Sequence, residues 1–404
     1  MKHTIDSVKE LTGRYGSPLY VFDELGFLEN AKKLESAMLA LYPHYRIAYS
    51  FKTNYTPYIC STVKKHGAMA EVVSGFEYEL AKRIGFAESE IIFNGPDKGL
   101  SGKDAFLNGC MIHVDSLDEL DHLCLCAKDN PYRPFKIGLR INIDVGQSFI
   151  SRFGMEEKDA VLAFQKVSDV PNLTIAGLHC HISRCRSKAA WKLRTGIMLR
   201  LADRLFDDVP EFIDLGSGMY GSMEPSFSAQ VENVSSYTDY AEVTAGLMAQ
   251  HYPGSKKPLL ITEPGTTLVS RYVSCISRVD AIKRIRGKAF AVLDSGIHTL
   301  GETCTLKQLP ICVIRNGSEG QYYESIDLTG YTCLEQDVVY RAYSGELAVG
   351  DYVIFGNVGG YSNVLKPPFI HPGCAMVAAK GNGTFTCIKR AENAQDMLNT
   401  YYFE

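Results

Sequence analysis

From about residue 45 to residue 265 the sequence repeats one order: a short β-branched apolar run, a polar or glycine-bearing corner, then a stretch with helical apolar spacing. The runs fall at 47–52, 70–74, 91–95, 111–116, 137–142, 175–181, 212–216 and 259–263. Between them lie segments such as 76–85, which ends on Gly85, a suitable helix C-cap. Eight alternating units predict an α/β fold, a parallel (β/α)8 barrel of the TIM type rather than an open sheet. Lys52, Ser74, Asn94, Asp115, Arg140, Asn142, His181, Gly216, Gly218 and Glu263 then stand near the C-terminal ends of the strands, where barrel enzymes keep their active sites.

Beyond Glu263 the pattern turns strand-rich at 269–279, 289–294 and 351–355, and no ten-residue amphipathic helix follows until about 391–398. This predicts a C-terminal, mostly antiparallel β domain, a barrel or sandwich, over 266–404. The early run 18–22 is assigned to that domain. The expected organisation is therefore an N-terminal segment 1–25 contributing a strand to the β domain, a barrel over 26–265, and the β domain. No internal repeat is visible.

With 42 basic against 46 acidic residues, a net charge of −4 and a pI near 6.2, the chain lacks the basic excess of a nucleic-acid binder. No run of 18 apolar residues occurs, and residues 1–16 lack an apolar leader core, so a cytoplasmic protein without a membrane span is expected. The twelve cysteines are scattered without the paired spacing of a zinc site; no metal is expected, and most read as small buried hydrophobes.

Individual residues point to chemistry. A lysine ending an apolar strand, as Lys52 does, has its charged form disfavoured and can form a Schiff base. Gly216 to Gly221 holds three glycines in six residues after a strand, and can turn backbone N–H groups to a phosphate. Its place after the seventh barrel strand is the usual one for such a site. Glu263 could keep a pyridine nitrogen protonated, and His181 could lie against an aromatic ring. In the β domain, the turn from Gly330 to Asp337 carries the thiol of Cys333, and Gly359-Gly360-Tyr361-Ser362 offers a phenol to a phosphate oxygen. Taken singly, each has a bland counterpart: a snorkelling lysine, a tight corner, a salt-bridged glutamate, a hydrogen-bonded histidine, a buried cysteine, a rim aromatic.

In their order and spacing these residues resemble the diaminopimelate/ornithine decarboxylase family, the pyridoxal-phosphate enzymes of the alanine-racemase-like fold. The resemblance runs from Ser17-Pro18-Leu19-Tyr20-Val21-Phe22-Asp23 to the region of Tyr361. It implies pyridoxal 5'-phosphate on Lys52, within Tyr49-Ser50-Phe51-Lys52-Thr53-Asn54. His181 would stack on the pyridine face, Gly216, Ser217 and Gly218 would cradle the phosphate, Glu263 would pair with the ring nitrogen, and Tyr361 would bind the phosphate. Ser74, Gly265 and Thr266 complete the expected cofactor contacts. Cys333 would come from the partner subunit of a homodimer with shared active sites and protonate the decarboxylated carbon. Glu335, Asp337 and His298 are the expected substrate-side residues. The implied activity is loss of the α-carboxylate from a small-molecule substrate, an amino acid or amino-acid conjugate, in a biosynthetic pathway.

The departures are specific. In place of the family's His-x-Gly-Ser the chain reads His181-Ile182-Ser183-Arg184, and in place of Glu-Pro-Gly-Arg it reads Glu263-Pro264-Gly265-Thr266. A cation is lost, and Arg184 is expected to replace it. The Arg-Pro-x-x-x-Tyr segment is absent after Asp294-Ser295-Gly296, where His298-Thr299-Leu300-Gly301-Glu302-Thr303-Cys304 stands instead, which argues against meso-diaminopimelate as substrate. Two alternatives remain: a racemase of the same fold, or an inactive homologue that acts as a binding protein. Glu263, where a racemase sets an arginine, speaks against the first, and the joint survival of Lys52, His181, Glu263, Cys333 and Tyr361 against the second.

Overall fold

A computed structural model describes residues 4–317, 319–365 and 369–403. The chain divides into two compact units, one of Asn30–Gly221 with Asn233–Thr267, the other of Met1–Glu29, Ser222–Glu232 and Leu268–Glu404.

A first strand, β1 (Leu19–Asp23), belongs to the second unit. The first unit is a closed parallel barrel of β2 (Tyr45–Ser50), β3 (Met69–Val72), β4 (Ile91–Phe93), β5 (Met111–Val114), β6 (Phe135–Arg140), β7 (Leu173–His179), β8 (Phe212–Asp214) and β9 (Leu259–Thr262). It closes where Ile47 of β2 pairs with Thr262 of β9. Ala48, Met69, Ile92, Ala176, Phe212 and Ile261 form one of its buried clusters. Two of the strand-to-helix corners share a device. Ser74 and Ser116 cap the helices Gly75–Ile84 and Leu117–Lys128 by accepting the N–H of Glu77 and Glu119. Those glutamates reach back to the N–H of Val73 and Asp115 at 2.9 and 2.8 Å. Two orphan donors are thus satisfied at each corner, which fixes where the chain leaves the barrel.

The second unit contains β10 (Val273–Ile285), β11 (Lys288–Leu293), β12 (Ile311–Ile314), β13 (Gln321–Thr329), β14 (Val338–Leu347), β15 (Tyr352–Phe355), β16 (Ala375–Ala379) and β17 (Phe385–Lys389). The sheet runs β14-β13-β11-β10-β1-β16-β17, with β15 bridging β10 and β12. Most pairs are antiparallel, but β1 lies parallel to β16 and β11 parallel to β13. The long β10 serves β1 and β15 with its first half and β11 with its second, changing register between Val279 and Ala281. Leu19, Val21, Ile276, Ile354 and Val377 pack with Val8 and Leu11 of the helix Ile5–Tyr15. The excursion of 222–232 into this unit has no signal in apolar periodicity; polar contacts to Arg271 hold it, including Nε to Glu224 at 3.0 Å.

In the barrel, Gly177 lets β7 pass β8 closely: a Cβ there would fall 2.3 Å from the Phe212 carbonyl oxygen. Gly177→Ala is expected to destabilise the protein by about 1–3 kcal/mol, the usual cost of overpacking, read as a lowered midpoint in urea unfolding. An unchanged midpoint would show that the strand pair can spread at no cost.

Candidate active site

β2 ends at Ser50 and the chain continues into a 3-10 turn, Phe51–Thr53. Lys52 therefore stands in a turn beyond the strand, not in it as the sequence suggested. Phe51 and Thr53 are buried, while Lys52 keeps 26% of its side chain exposed. Its Nζ donates to both carboxylate oxygens of Glu71 on β3, 2.6 Å to Oε2, and to Ser50 Oγ at 3.2 Å. Glu71 is fully buried; burial lifts its carboxyl above the ordinary range against the pull of Lys52. Burial, and then the nearby Glu71 carboxylate, push Glu77 up to about 7.

Glu263, directly after β9, is also fully buried. Asn94 Nδ2 donates to its Oε1, His179 Nε2 stands 3.3 Å from its Oε2, and His181 Nδ1 lies 3.6 Å away. Burial alone would raise Glu263, but the two histidines and Lys52 outweigh it and hold the carboxyl well below the usual range. It is a deep, fixed anion. Below it, the rings of His113 and His179 stack at 4.6 Å and 24°. Asp214 accepts the Gly216 N–H at 2.9 Å; burial and the Glu263 carboxylate push it up. The donor atoms of His113, His179, Asp214 and Glu263 all lie within 4.8 Å of one another. In-plane lone pairs of two stacked imidazoles do not converge on one ion at a metal–nitrogen distance near 2 Å, so the cluster reads as a floor that orients Glu263.

His181 receives the Ser217 N–H at Nδ1, 3.3 Å, and burial pushes it down to about 4, so its ring is neutral at physiological pH. Gly216 and Gly218 take φ +62° and +98°, and a Cβ on either would fall 2.4 and 2.2 Å from the carbonyl oxygens of Cys180 and Ile182. Lys52 and His181 line a cavity of about 380 Å³ together with Asn94, Arg140, Phe149 and Phe153; Glu263 and the glycine loop lie directly behind that lining, in contact with Asn94 and His181. An amine, a deep anion, a flat neutral ring and a glycine loop around a cavity of ligand size match the parts of pyridoxal phosphate.

Other expected residues are placed differently. Ser74 is occupied as a helix cap. Gly265 gives room to the Lys52 turn, since a Cβ there would meet Thr53 Oγ1 at 2.0 Å. Thr266 opens a single turn, Thr266–Val269. Arg184 is exposed, its guanidinium 5.6 Å from the Phe149 ring centroid. In the second unit, Tyr361 and Asn357 hold left-handed backbone at φ +55° and +60°, uncommon for residues with a side chain. Cys333 and Glu335 are exposed on the turn after β13, and His298 sets its ring 5.4 Å from that of Phe369. Asp337 is buried, and its carboxylate accepts from Ile297 N (2.8 Å), Thr332 Oγ1 (2.6 Å) and Thr332 N (3.2 Å). It clamps the turn. Glu71, His113, His179 and Asp214 belong to no sequence motif; their one signal is a polar residue inside an otherwise apolar strand run.

The family model for the pyridoxal-binding domain of pyridoxal-dependent decarboxylases matches residues 28–270. Among curated relatives, the diaminopimelate decarboxylase of Methanothermobacter thermautotrophicus is 25% identical over 407 residues, spanning 96% of this chain and 92% of that one. Among solved structures, a diaminopimelate decarboxylase from M. jannaschii is similar at a TM-score of 0.86 and 22% identity, covering 98% of this chain and 94% of the other. Its complex with L-lysine gives 0.85 at the same identity and coverage.

Two variants test the local assignments. Ser74→Ala should cost about 1 kcal/mol of stability as a lost cap, with cofactor affinity by absorbance titration within twofold of wild type. A larger loss of affinity would return Ser74 to the cofactor. A carboxyl raised in the folded state stabilises below its unfolded value near 4.5 and loses that contribution as pH rises towards 7. Glu77→Gln should therefore gain on wild type by up to about 3 kcal/mol between pH 5 and pH 8 in urea unfolding. A constant difference would mean that Glu77 is ionised throughout.

Proposed function

Because the chain belongs to the pyridoxal-dependent decarboxylase family, and so is a carboxy-lyase that uses pyridoxal phosphate on an amino-acid-type small molecule, we propose how its own residues divide that work. The cofactor, when bound, supplies an aldehyde for amines and a ring that takes up the electron pair left when CO2 departs. Lys52 would hold it covalently, with Glu71 accepting the amine's proton or parking the ammonium when substrate displaces it. His181, neutral and fixed by the Ser217 N–H, would cover one face of the ring. The loop of Gly216, Ser217 and Gly218 would take the phosphate, with Tyr361 as a second phosphate ligand.

The observation that carries the assignment is Glu263. A buried carboxylate held anionic between Asn94, His179 and His181 would keep a proton on the ring nitrogen of a bound cofactor and favour full electron withdrawal, which suits decarboxylation over racemisation. Cys333 would return the proton to Cα from the partner subunit of a homodimer. Its exposure on a turn clamped by Asp337 supports that placement, and Glu335 beside it would meet the substrate's distal end together with His298. The absent Arg-Pro-x-x-x-Tyr segment and Thr266 in place of arginine support a substrate other than meso-diaminopimelate, a related amino acid or conjugate. All twelve cysteines are free, which fits a cytoplasmic location, and among the described residues no helix is long and apolar enough to cross a membrane.

Borohydride reduction should fix the cofactor on Lys52, located by peptide mass, and Lys52→Ala should release no CO2 from any amino acid. Within a panel of diamino acids and their conjugates, meso-diaminopimelate should run below about 1% of the best kcat/KM. Racemisation without CO2 would replace the reading, and meso-diaminopimelate as best substrate would overturn its substrate class. An equal mixture of refolded Lys52→Ala and Cys333→Ala should regain about a quarter of wild-type activity, since half the dimers are mixed and each of those has one intact site. No recovery would place Cys333 within its own subunit's site or outside it.

A further inference from the structure

Trp191 and Arg194, on the helix Lys188–Leu205, are among the largest fully buried side chains of the protein. Arg194 Nη1 donates to the carbonyls of Leu215 (3.0 Å) and Ser217 (2.7 Å), and Nη2 to that of Ile182 (2.8 Å). The guanidinium lies 4.1 Å from the Trp191 ring centroid, and Trp191 Nε1 donates to the Gly218 carbonyl at 3.0 Å. Thr267 Oγ1 takes the next carbonyl, Met219, at 2.9 Å. Among the described residues no carboxylate stands within ion-pair distance of Arg194. The titratable groups that face it are the Cys180 and Cys185 thiols and the Tyr240 phenol. Burial pulls the guanidinium down to about 10, which leaves it charged at neutral pH.

A buried cation without a counter-ion is costly, and three carbonyls can be satisfied by neutral donors, so the charge asks for an anion. The backbone shows where. In a trans peptide the carbonyl of one residue and the N–H of the next point oppositely. With the carbonyls of Ser217 and Gly218 pinned towards the helix, the N–H groups of Gly218 and Met219 face the other way. The flanking N–H groups are already taken, Gly216 by Asp214 and Tyr220 by the Tyr240 hydroxyl at 2.9 Å each. Two oriented N–H dipoles backed by a positive charge make an anion cup. Arg184, the residue expected to replace the cation missing at Thr266, is exposed against Phe149 instead.

We infer that Arg194 is the positioning residue of the phosphate cup, turning the loop's N–H groups outward and supplying from behind it the positive charge that position 266 lacks. The inference rests on the phosphate docking at Gly216–Gly218. Apoenzyme is titrated with pyridoxal phosphate and with pyridoxal, which lacks the phosphate, by absorbance of the Lys52-bound aldehyde, in wild type, Arg194→Gln and Arg194→Lys. Arg194→Gln should weaken pyridoxal phosphate about 30-fold or more and pyridoxal no more than about threefold, and Arg194→Lys should recover most of the loss. Equal losses for both aldehydes, or an unchanged preference, overturn the role of Arg194.

Should both variants fail to fold, the wild type still decides, because Trp191 is the chain's only tryptophan and touches both the arginine and the loop. Inorganic phosphate should compete with pyridoxal phosphate and shift Trp191 emission over the same concentration range. Competition without the shift overturns the inference about Arg194 and leaves the cup. Absence of both overturns the cup as well.

Discussion

A positive amine has to be kept at the mouth of an apolar barrel, and the contact between Lys52 and the buried Glu71 is how this chain does it. Glu263 is the second buried acid beside them, and two like charges cannot both sit cheaply in a desolvated space. The structure separates them by partner. Glu71 is matched to the lysine, while Glu263 is matched to the side-chain amide of Asn94 and the imidazole of His179. Asp214, with no cation of its own, goes the other way and is pushed towards its neutral form. Burial and the partner each acid is given thus set their ionisation, and with it the chemistry the mouth can support.

The barrel is legible in the sequence because each strand must be apolar and each connection must turn, so the alternation appears in the letters. Lys52, His181, the glycine loop and Glu263 are legible for a related reason: they follow directly on apolar runs, where polar residues stand out. What faces the barrel interior is not. His113, His179 and Glu71 are single polar letters inside strand runs, and only the folded barrel shows that the two histidines meet Asp214 and Glu263 while Glu71 meets Lys52. Arg194 is harder still. On a helix a lone arginine reads as solvated surface, and its burial depends on carbonyls that a loop 21 to 23 residues later turns towards it.

Two polar residues expected at the site are engaged by backbone for one physical reason. Ser74 and Asp337 are polar residues at corners, and corners have orphaned backbone donors of their own to satisfy. Ser74 is used by the helix it starts, and Asp337 by Thr332 and Ile297. Sequence position places a side chain at a rim; it does not say whether backbone has already claimed it. The same demand, met by Glu77 and Glu119, ties the barrel's rim to helix starts that need no ligand to stay in place.

Phe212 closes the barrel from within. Its ring lies under His113 at 5.3 Å, and the Gly177 strand passes against it with no room for a single methyl. The lower half of the barrel is therefore solid, and the cavity over Lys52 has a floor. A chamber closed below admits no water column through the barrel axis, so no competing proton reaches Lys52 from that side.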